Sequence, residues 1–412
     1  MSTTPQMPQV GTRAFESEVQ AGLSALQEAI AAAVDSLDEH PRKAPDLTRM
    51  LGLERNLAWK LFRLMHERDI FVAARFVPGQ ASIDAFIGAA GEAGVGAELL
   101  GRVREASRSY FEVLRVHAGD RVSADIMLGT RGGDAAELSL RRAGFRAASS
   151  LAGVQAQTQL QTFIMAPSAL GEGVIDGVAV KGFVDLRRMR PEAPVVIGRA
   201  MSTDDSGNVI KTAANEPIDA QPEGQLVPLL NEFCSSPLPR FKQVDAEPPF
   251  VEYELVEGPV GKTGAATFVS ASVIRGLGSR YRNPNNKLLE TVTRVRTPAA
   301  VLVCDVLVHK DIFPADHPPP RAGVYSELFG DAIRRGANRE RYRLAWSDRV
   351  EHLGRGAAVV QTADVPRYPK MLQHVFDRLG WDGGEFDVHR VRVEYPYTPT
   401  CLTVSFELLG GE

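Results

Sequence analysis

Residues 44–65 read A-P-D-L-T-R-M-L-G-L-E-R-N-L-A-W-K-L-F-R-L-M and predict two short helices that meet at a tight corner. The corner falls at Gly52, because glycine adopts without strain the positive φ that a sharp helix-to-helix turn needs. Leucines lie on both sides of this glycine, among them Leu47, Leu51 and Leu61. We therefore expect the two helices to pack together through their leucine-bearing sides.

This pattern resembles the helix-turn-helix of DNA-binding transcriptional regulators, including the winged-helix proteins. In that family the second helix lies in the major groove of DNA. The resemblance is confined to residues 44–65. It implies double-stranded DNA as a partner and the second helix as the recognition helix.

The second predicted helix presents a single outward face, because positions 56, 59, 60 and 63 are spaced i, i+3, i+4 and i+7. Amide, ammonium and guanidinium groups on one face suit contacts with base edges and phosphates. The alternative is a solvated helix face with Trp59 packed against a neighbouring domain. The residues we expect to contact DNA are Arg49, Arg55, Asn56, Trp59, Lys60 and Arg63.

The charge distribution agrees with a nucleic-acid module attached to a larger body. The chain of 412 residues has a formal net charge of -4, whereas residues 40–75 contain eight Lys and Arg against four Asp and Glu. A basic segment on an acidic protein favours a local DNA contact over binding of a polyanion by the whole surface.

Composition predicts a globular cytoplasmic protein. Its 44% hydrophobic and 24% charged residues are ordinary values for soluble domains. The first residues lack a basic start followed by an apolar core, and no apolar run reaches membrane-spanning length, so we expect neither a signal peptide nor a membrane partner. Cys234, Cys304 and Cys401 are far apart, which suits a reducing compartment.

The first 150 residues read as helical. Apolar residues recur every three or four positions over 15–37, 96–117 and 134–151. Between them, residues 69–79 could form a strand or wing, and Ser82 could cap the following helix.

The period changes to two at residues 154–164, V-Q-A-Q-T-Q-L-Q-T-F-I, which predicts a strand with one wet or interfacial glutamine face. Residues 369–379 predict a helix. Residues 391–408 predict a hairpin, because two alternating runs flank P-Y-T-P. Further strands are predicted over residues 178–186, 195–201, 250–256, 266–274 and 299–309.

These patterns predict an α+β protein in which an all-helical, helix-turn-helix-like region precedes a large mixed domain. The expected divisions are a flexible tail over 1–12, the helix-turn-helix-like domain over 13–78, a helical connector or dimerisation region over 79–151, and an α+β domain over 152–412, divided in two near residue 240.

No catalytic, cofactor-binding or metal-binding motif is found. G-P-V-G-K-T-G at residues 258–264 is two residues too short for a phosphate-binding loop, and a glycine-rich hairpin turn is the simpler interpretation. Asp305 interrupts a buried strand pattern and needs a partner or a function. No H-E-x-x-H or G-x-S-x-G motif occurs.

Three hypotheses follow. The first is a DNA-binding transcriptional regulator with a large carboxy-terminal ligand-sensing or oligomerisation domain, acting as a homo-oligomer. The second is a structural or interaction protein that forms a homo-oligomeric assembly, with the amino-terminal helices packed between subunits. The third is an enzyme whose site combines Asp305 with the arginine-rich residues 275–287.

Overall fold

The structure, a computed structural model, describes residues 10–129, 133–198, 202–203, 209–210, 215–244 and 252–410. Contacts between residues divide the chain into two units, Met1–Leu140 and Arg141–Glu412. Most of the predicted tail over residues 1–12 lies outside the described residues, and its last three residues already belong to the first helix.

Every described secondary-structure element of the first unit is helical, as the sequence predicts for all but residues 69–79. A single 3-10 turn, Ala74–Phe76, follows the fourth helix. An eighth helix begins in this unit and ends in the second. The helices are α1 Val10–Asp35, α2 Ala44–Leu51, α3 Arg55–His66, α4 Ile70–Ala73, α5 Gln80–Glu92, α6 Ala97–Ala118, α7 Arg121–Gly129 and α8 Gly133–Ala152.

The long helix α1 forms one side of the core of the first unit. Its predicted apolar positions are buried, and α1 packs along α6. Burying such an apolar stripe supplies most of the stability of a helix in a globular protein. The buried positions of α1 include Phe15, Val19, Leu23, Leu26, Ile30 and Val34.

The predicted corner between α2 and α3 is present. Gly52 ends α2 in the left-handed region, with φ of 64°. Leu47 and Leu51 of α2 and Leu61 and Leu64 of α3 are buried in the same apolar core. The sequence therefore predicted correctly both helices and the residue at which the chain turns.

Two local predictions in this unit are wrong. Residues 70–76 are helical and form no strand or wing, because the Asp69 carboxylate accepts hydrogen bonds from the backbone N–H groups of Phe71 and Val72 and so starts α4. Helix α5 begins at Gln80 with Gly79 before it, so Ser82 lies inside the helix and does not cap it.

The second unit contains the strands and one further helix, α9 Tyr368–Leu379. The change from helix to strand falls at Gly153, as predicted. Parts of two predicted strands, residues 199–201 and 250–251, lie outside the described residues. The strands are β1 Val154–Pro167, β2 Val174–Arg188, β3 Val196–Gly198, β4 Ser202–Thr203, β5 Val209–Ile210, β6 Asn215–Pro217, β7 Phe241–Val244, β8 Glu252–Leu255, β9 Ala266–Ser279, β10 Leu288–Val295, β11 Ala299–His309, β12 Arg321–Ser326, β13 Glu351–Arg355, β14 Phe386–Glu394 and β15 Thr400–Glu407.

A seven-stranded sheet in the order β13-β14-β11-β1-β2-β9-β6 organises this unit. Strands β1 and β11 are parallel, and the other neighbours are antiparallel. Helix α9 covers one face of this sheet, and a three-stranded sheet, β10-β15-β12, covers the other. The observed architecture confirms the predicted α+β class.

Two predicted connections are wrong although their strands exist. Strand β14 pairs with β11 and β13, whereas β15 pairs with β10 and β12, so residues 391–408 join two stacked sheets and form no hairpin. Residues 258–264 likewise link strands of different sheets, β8 and β9, through the 3-10 turn Gly261–Gly264. The glycine-rich segment is therefore a crossover.

Candidate functional site

The outward face of α3 is open to solvent. Arg55, Asn56, Trp59 and Arg63 are exposed, and Lys60 is half-buried. The opposite stripe of the helix, with Ala58, Leu61 and Leu64, is completely buried. The packing of α2, α3 and α1 therefore leaves this polar face on the surface of the unit.

Three polar side chains of this face have no partner in the described part of the chain. Arg55, Asn56 and Lys60 make no side-chain hydrogen bond or ion pair to any described residue. Such side chains can bind a new partner without first breaking a contact. That property distinguishes them from the other two cations of the predicted set.

Arg63 and Arg49 are held in ion pairs. An Arg63 guanidinium nitrogen lies 3.2 Å from a carboxylate oxygen of Glu67, and an Arg49 nitrogen lies 2.7 Å from one of Glu39. The hydrogen bond to Glu39 raises the pKa of Arg49. The Arg49–Glu39 pair is exposed, so exchanging the carboxylate for a phosphate costs little there. In the other pair the Glu67 side chain is only 22% exposed, so the same exchange costs more.

Trp59 is 47% exposed. Its ring meets Phe76 edge-on, with centroids 5.4 Å apart, and Phe76 also lies 4.9 Å from the guanidinium carbon of Arg63. This cluster orients the aromatic ring and the arginine on the same face of α3.

Asp305 has the partners that its buried position requires. Its carboxylate is completely buried and accepts two hydrogen bonds from Arg390, at 2.8 and 2.6 Å, and one from the Tyr368 hydroxyl at 2.9 Å. Arg390 also donates to the carbonyl of Val360, and Thr162 meets Tyr368 at 2.6 Å. Burial raises the pKa of Asp305, and the Arg390 guanidinium opposes that shift. The network joins α9 to the sheet.

The arginine-rich segment at residues 275–287 does not join this network. Arg275 donates to the Asp176 carboxylate at 2.8 Å, and Arg280 donates to the carbonyl of Asp311 at 2.9 Å. Within the described residues neither arginine contacts Asp305. The combination assumed by the enzyme hypothesis is therefore not assembled.

One group of side chains has the composition of a metal site. Ligand atoms of His309, Asp311 and Glu385 lie within 4.8 Å of one another. The Lys310 ammonium, however, is 2.7 Å from Glu385 and already neutralises that carboxylate. An ammonium at this position competes with a metal cation for the same oxygen atoms.

A cavity of about 320 Å³ in the second unit is the feature that the sequence analysis did not locate. Its floor is the face of β1, β2 and β9 that points towards β10, and it includes Gln159 and Gln161. The alternating glutamines of β1 were the sequence signal for this cavity. The alternation predicted a wet or interfacial face, but it did not show which strands face it.

Comparisons with known proteins identify no family. No family model matches the chain, and no curated protein matches it. A solved structure from Parabacteroides distasonis ATCC 8503, described as a "putative protease", shares 12% identity at a TM-score of 0.27, over 62% of this chain and 40% of that one. This chain therefore matches less than half of that protein's length, and so low a TM-score says nothing about fold or activity.

Within the described ranges no single helix is long and apolar enough to cross a bilayer, and one pair, Ile70–Phe76 with Gln80–Glu92, reaches the limits by length and composition only, with a bend of 83°.

Proposed function

We propose that this protein is a cytoplasmic DNA-binding transcriptional regulator. Its amino-terminal unit contacts double-stranded DNA through α3, and its α+β unit senses a ligand or holds a homo-oligomer together. A dimer is the simplest assembly, because one small DNA-binding module rarely reaches adequate specificity alone.

The observation that carries the proposal is the exposed polar face of the second helix after a Gly52 corner. Arg55, Asn56 and Lys60 lie on a rigid helix, are accessible, and have no partner among the described residues. Oppositely charged side chains at i+3 or i+4 on a helix can pair with each other, which would occupy them. Among the described residues, Arg63 with Glu67 is the pair that α3 forms in this way.

The side chains divide by the chemistry that each offers to DNA. An asparagine amide matches the N6 and N7 groups of adenine, and an arginine fork matches O6 and N7 of guanine. We assign base contacts to Asn56 and Arg55. Lys60, Arg63 and Arg49 carry charge without requiring one base, and we assign them to phosphates.

Selection from a pool of random duplex DNA tests the proposal. We expect the full chain to enrich a short motif, and Asn56→Ala to lose preference at one base position while keeping affinity for unrelated DNA. Arg108→Ala is the matched control, because Arg108 is an exposed cation on α6, outside this face. Failure of the wild-type chain to enrich any sequence would refute the proposal.

A second candidate function is a homo-oligomeric structural or interaction protein. Apolar side chains are exposed where α6 leads into α7, with Val116 at 62%, Ile126 at 65% and Met127 at 38%. Exposed apolar side chains on successive helices favour a protein interface if they adjoin one another. Equilibrium sedimentation distinguishes the two candidates, since large closed or filamentous assemblies without DNA enrichment support the second.

A further inference from the structure

The cavity in the second unit has the size and lining of a small-molecule site. Its volume of about 320 Å³ lies at the lower end of the range for ligand pockets. Apolar side chains of both sheets form most of the wall. They include Phe163, Met165, Phe183, Phe268, Leu277 and Leu289.

A row of polar side chains crosses this apolar lining. Gln161 on β1 lies directly opposite Lys181 on β2, and Lys181 lies directly opposite Ser270 on β9. Residues opposite each other on antiparallel strands project from the same face of a sheet and lie about 5 Å apart at Cβ. All three line the cavity, so the strand register places an amide, an ammonium and a hydroxyl together on its floor.

Gln161 is the member of this row without a partner. It is only 8% exposed, and its amide makes no hydrogen bond to any described residue. A buried amide is normally hydrogen-bonded, because leaving it unsatisfied costs about 1–3 kcal/mol. The amide faces the cavity and is available to a ligand.

Two neighbouring polar groups already donate hydrogen bonds, whereas Oε1 of Gln159 has no partner among the described residues. The Ser270 hydroxyl donates to the carbonyl of Lys181 at 3.2 Å, and the Gln159 amide donates to the carbonyl of Arg294 at 2.8 Å. The Arg294 guanidinium pairs with Glu327 and Asp331. Gln161 and Lys181 therefore lie side by side on the floor of the cavity, whose lining also includes Glu290, Arg294 and Arg296.

We propose that this cavity binds a monocarboxylic acid with an apolar body, whose carboxylate meets the Gln161 amide N–H and the Lys181 ammonium. A carboxylate suits this pair because charge-assisted hydrogen bonds are the stronger kind. The apolar part of the wall favours an apolar chain or ring, rather than a second polar group, as the remainder of the ligand. The inference deepens the proposed function, since it rests on the α+β unit being the ligand-sensing part.

Isothermal titration of the full chain with octanoate, decanoate and phenylacetate tests the proposal, and decanol is the neutral comparison. We expect saturable binding of at least one carboxylate and weaker binding of decanol. Gln161→Leu and Lys181→Met should each lower the affinity for the carboxylate about tenfold, which is the effect expected for a lost hydrogen bond to a charged group. Gln161→Glu, which changes shape little, should weaken it further by placing two carboxylates together.

Gln157→Leu is the matched control, because Gln157 lies on the same face of β1 but is exposed and outside the cavity. The proposal is overturned if none of the three carboxylates binds, if decanol binds as tightly as decanoate, or if Gln157→Leu weakens binding as much as Gln161→Leu. Binding is measured without DNA, so a failure here and a failure of DNA recognition are separate results.

Discussion

The charges on the outward face of α3 set how steeply DNA binding should depend on salt. Each phosphate neutralised by a protein cation contributes about −0.9 to the slope of log affinity against log salt concentration. If Lys60, the unpaired cation assigned to a phosphate, meets one phosphate, the slope is about −0.9 for each copy of the unit. If Arg49 and Arg63 also exchange their carboxylates for phosphates, the slope reaches about −2.7.

The perturbation is Lys60→Ala, which removes an unpaired cation and leaves the buried side of α3 unchanged. We expect the slope to flatten by about 0.9 per copy, and by about twice that in a dimer with two half-sites. Arg63→Ala should flatten it less, because Arg63 must first leave Glu67 at 3.2 Å. The two substitutions should therefore differ in a defined order.

Fluorescence anisotropy of a labelled duplex, titrated at several salt concentrations between about 50 and 200 mM, measures these slopes. Arg108→Ala on α6 should leave the slope unchanged. Wild-type slopes in both Lys60→Ala and Arg63→Ala would refute the assignment. Equal flattening by Arg108→Ala would show that charge anywhere on the unit is sufficient.

Three further predictions concern stability, each measured by urea unfolding. Gly52→Ala should destabilise the first unit by about 1 kcal/mol: an added Cβ meets nothing within 4 Å, but the φ of 64° is strained for alanine. Gly88→Ala in the middle of α5 should stabilise the unit by about 1 kcal/mol, because alanine is the better helix former. Asp305→Leu should lower the free energy of unfolding by about 3–5 kcal/mol, since it leaves the buried Arg390 guanidinium without its carboxylate. Adding Arg390→Met to this variant should recover most of the lost stability. The hydrogen bond from Arg392 lowers the pKa of Asp364, so stability should fall as the pH drops below about 4, and Asp364→Asn should weaken that dependence.

The helical part of the structure was predictable because its signals are local. Helical hydrogen bonds join residues four apart, so the apolar period from Phe15 to Val34 and the glycine at position 52 define both helices and corner. The failure at residues 70–76 was also local. The apolar run after Asp69 favours a strand. The Asp69 side chain instead caps a helix there, and this N-cap, which the sequence also contains, outweighed the strand propensity.

Strand positions were largely predictable, whereas strand partners were not. Strand β11 occupies residues 299–309, the same limits that its apolar run predicts. Strands β14 and β15 follow each other closely but pair in different sheets, because each sheet needs an apolar face to bury against the other. A short connection between two strands can form a hairpin or can lead from one sheet to another. Here the packing of the two sheets favours the second arrangement.

The sequence by itself determined the exposed face of α3, since a helix that buries Leu61 and Leu64 must turn Asn56 and Lys60 outward. Only the tertiary structure decided the cavity. Gln161, Lys181 and Ser270 come from three strands separated along the chain, and the pairing register alone sets them in one row. The physical reason is that register is chosen by the burial of whole sheets, a quantity that no single segment contains.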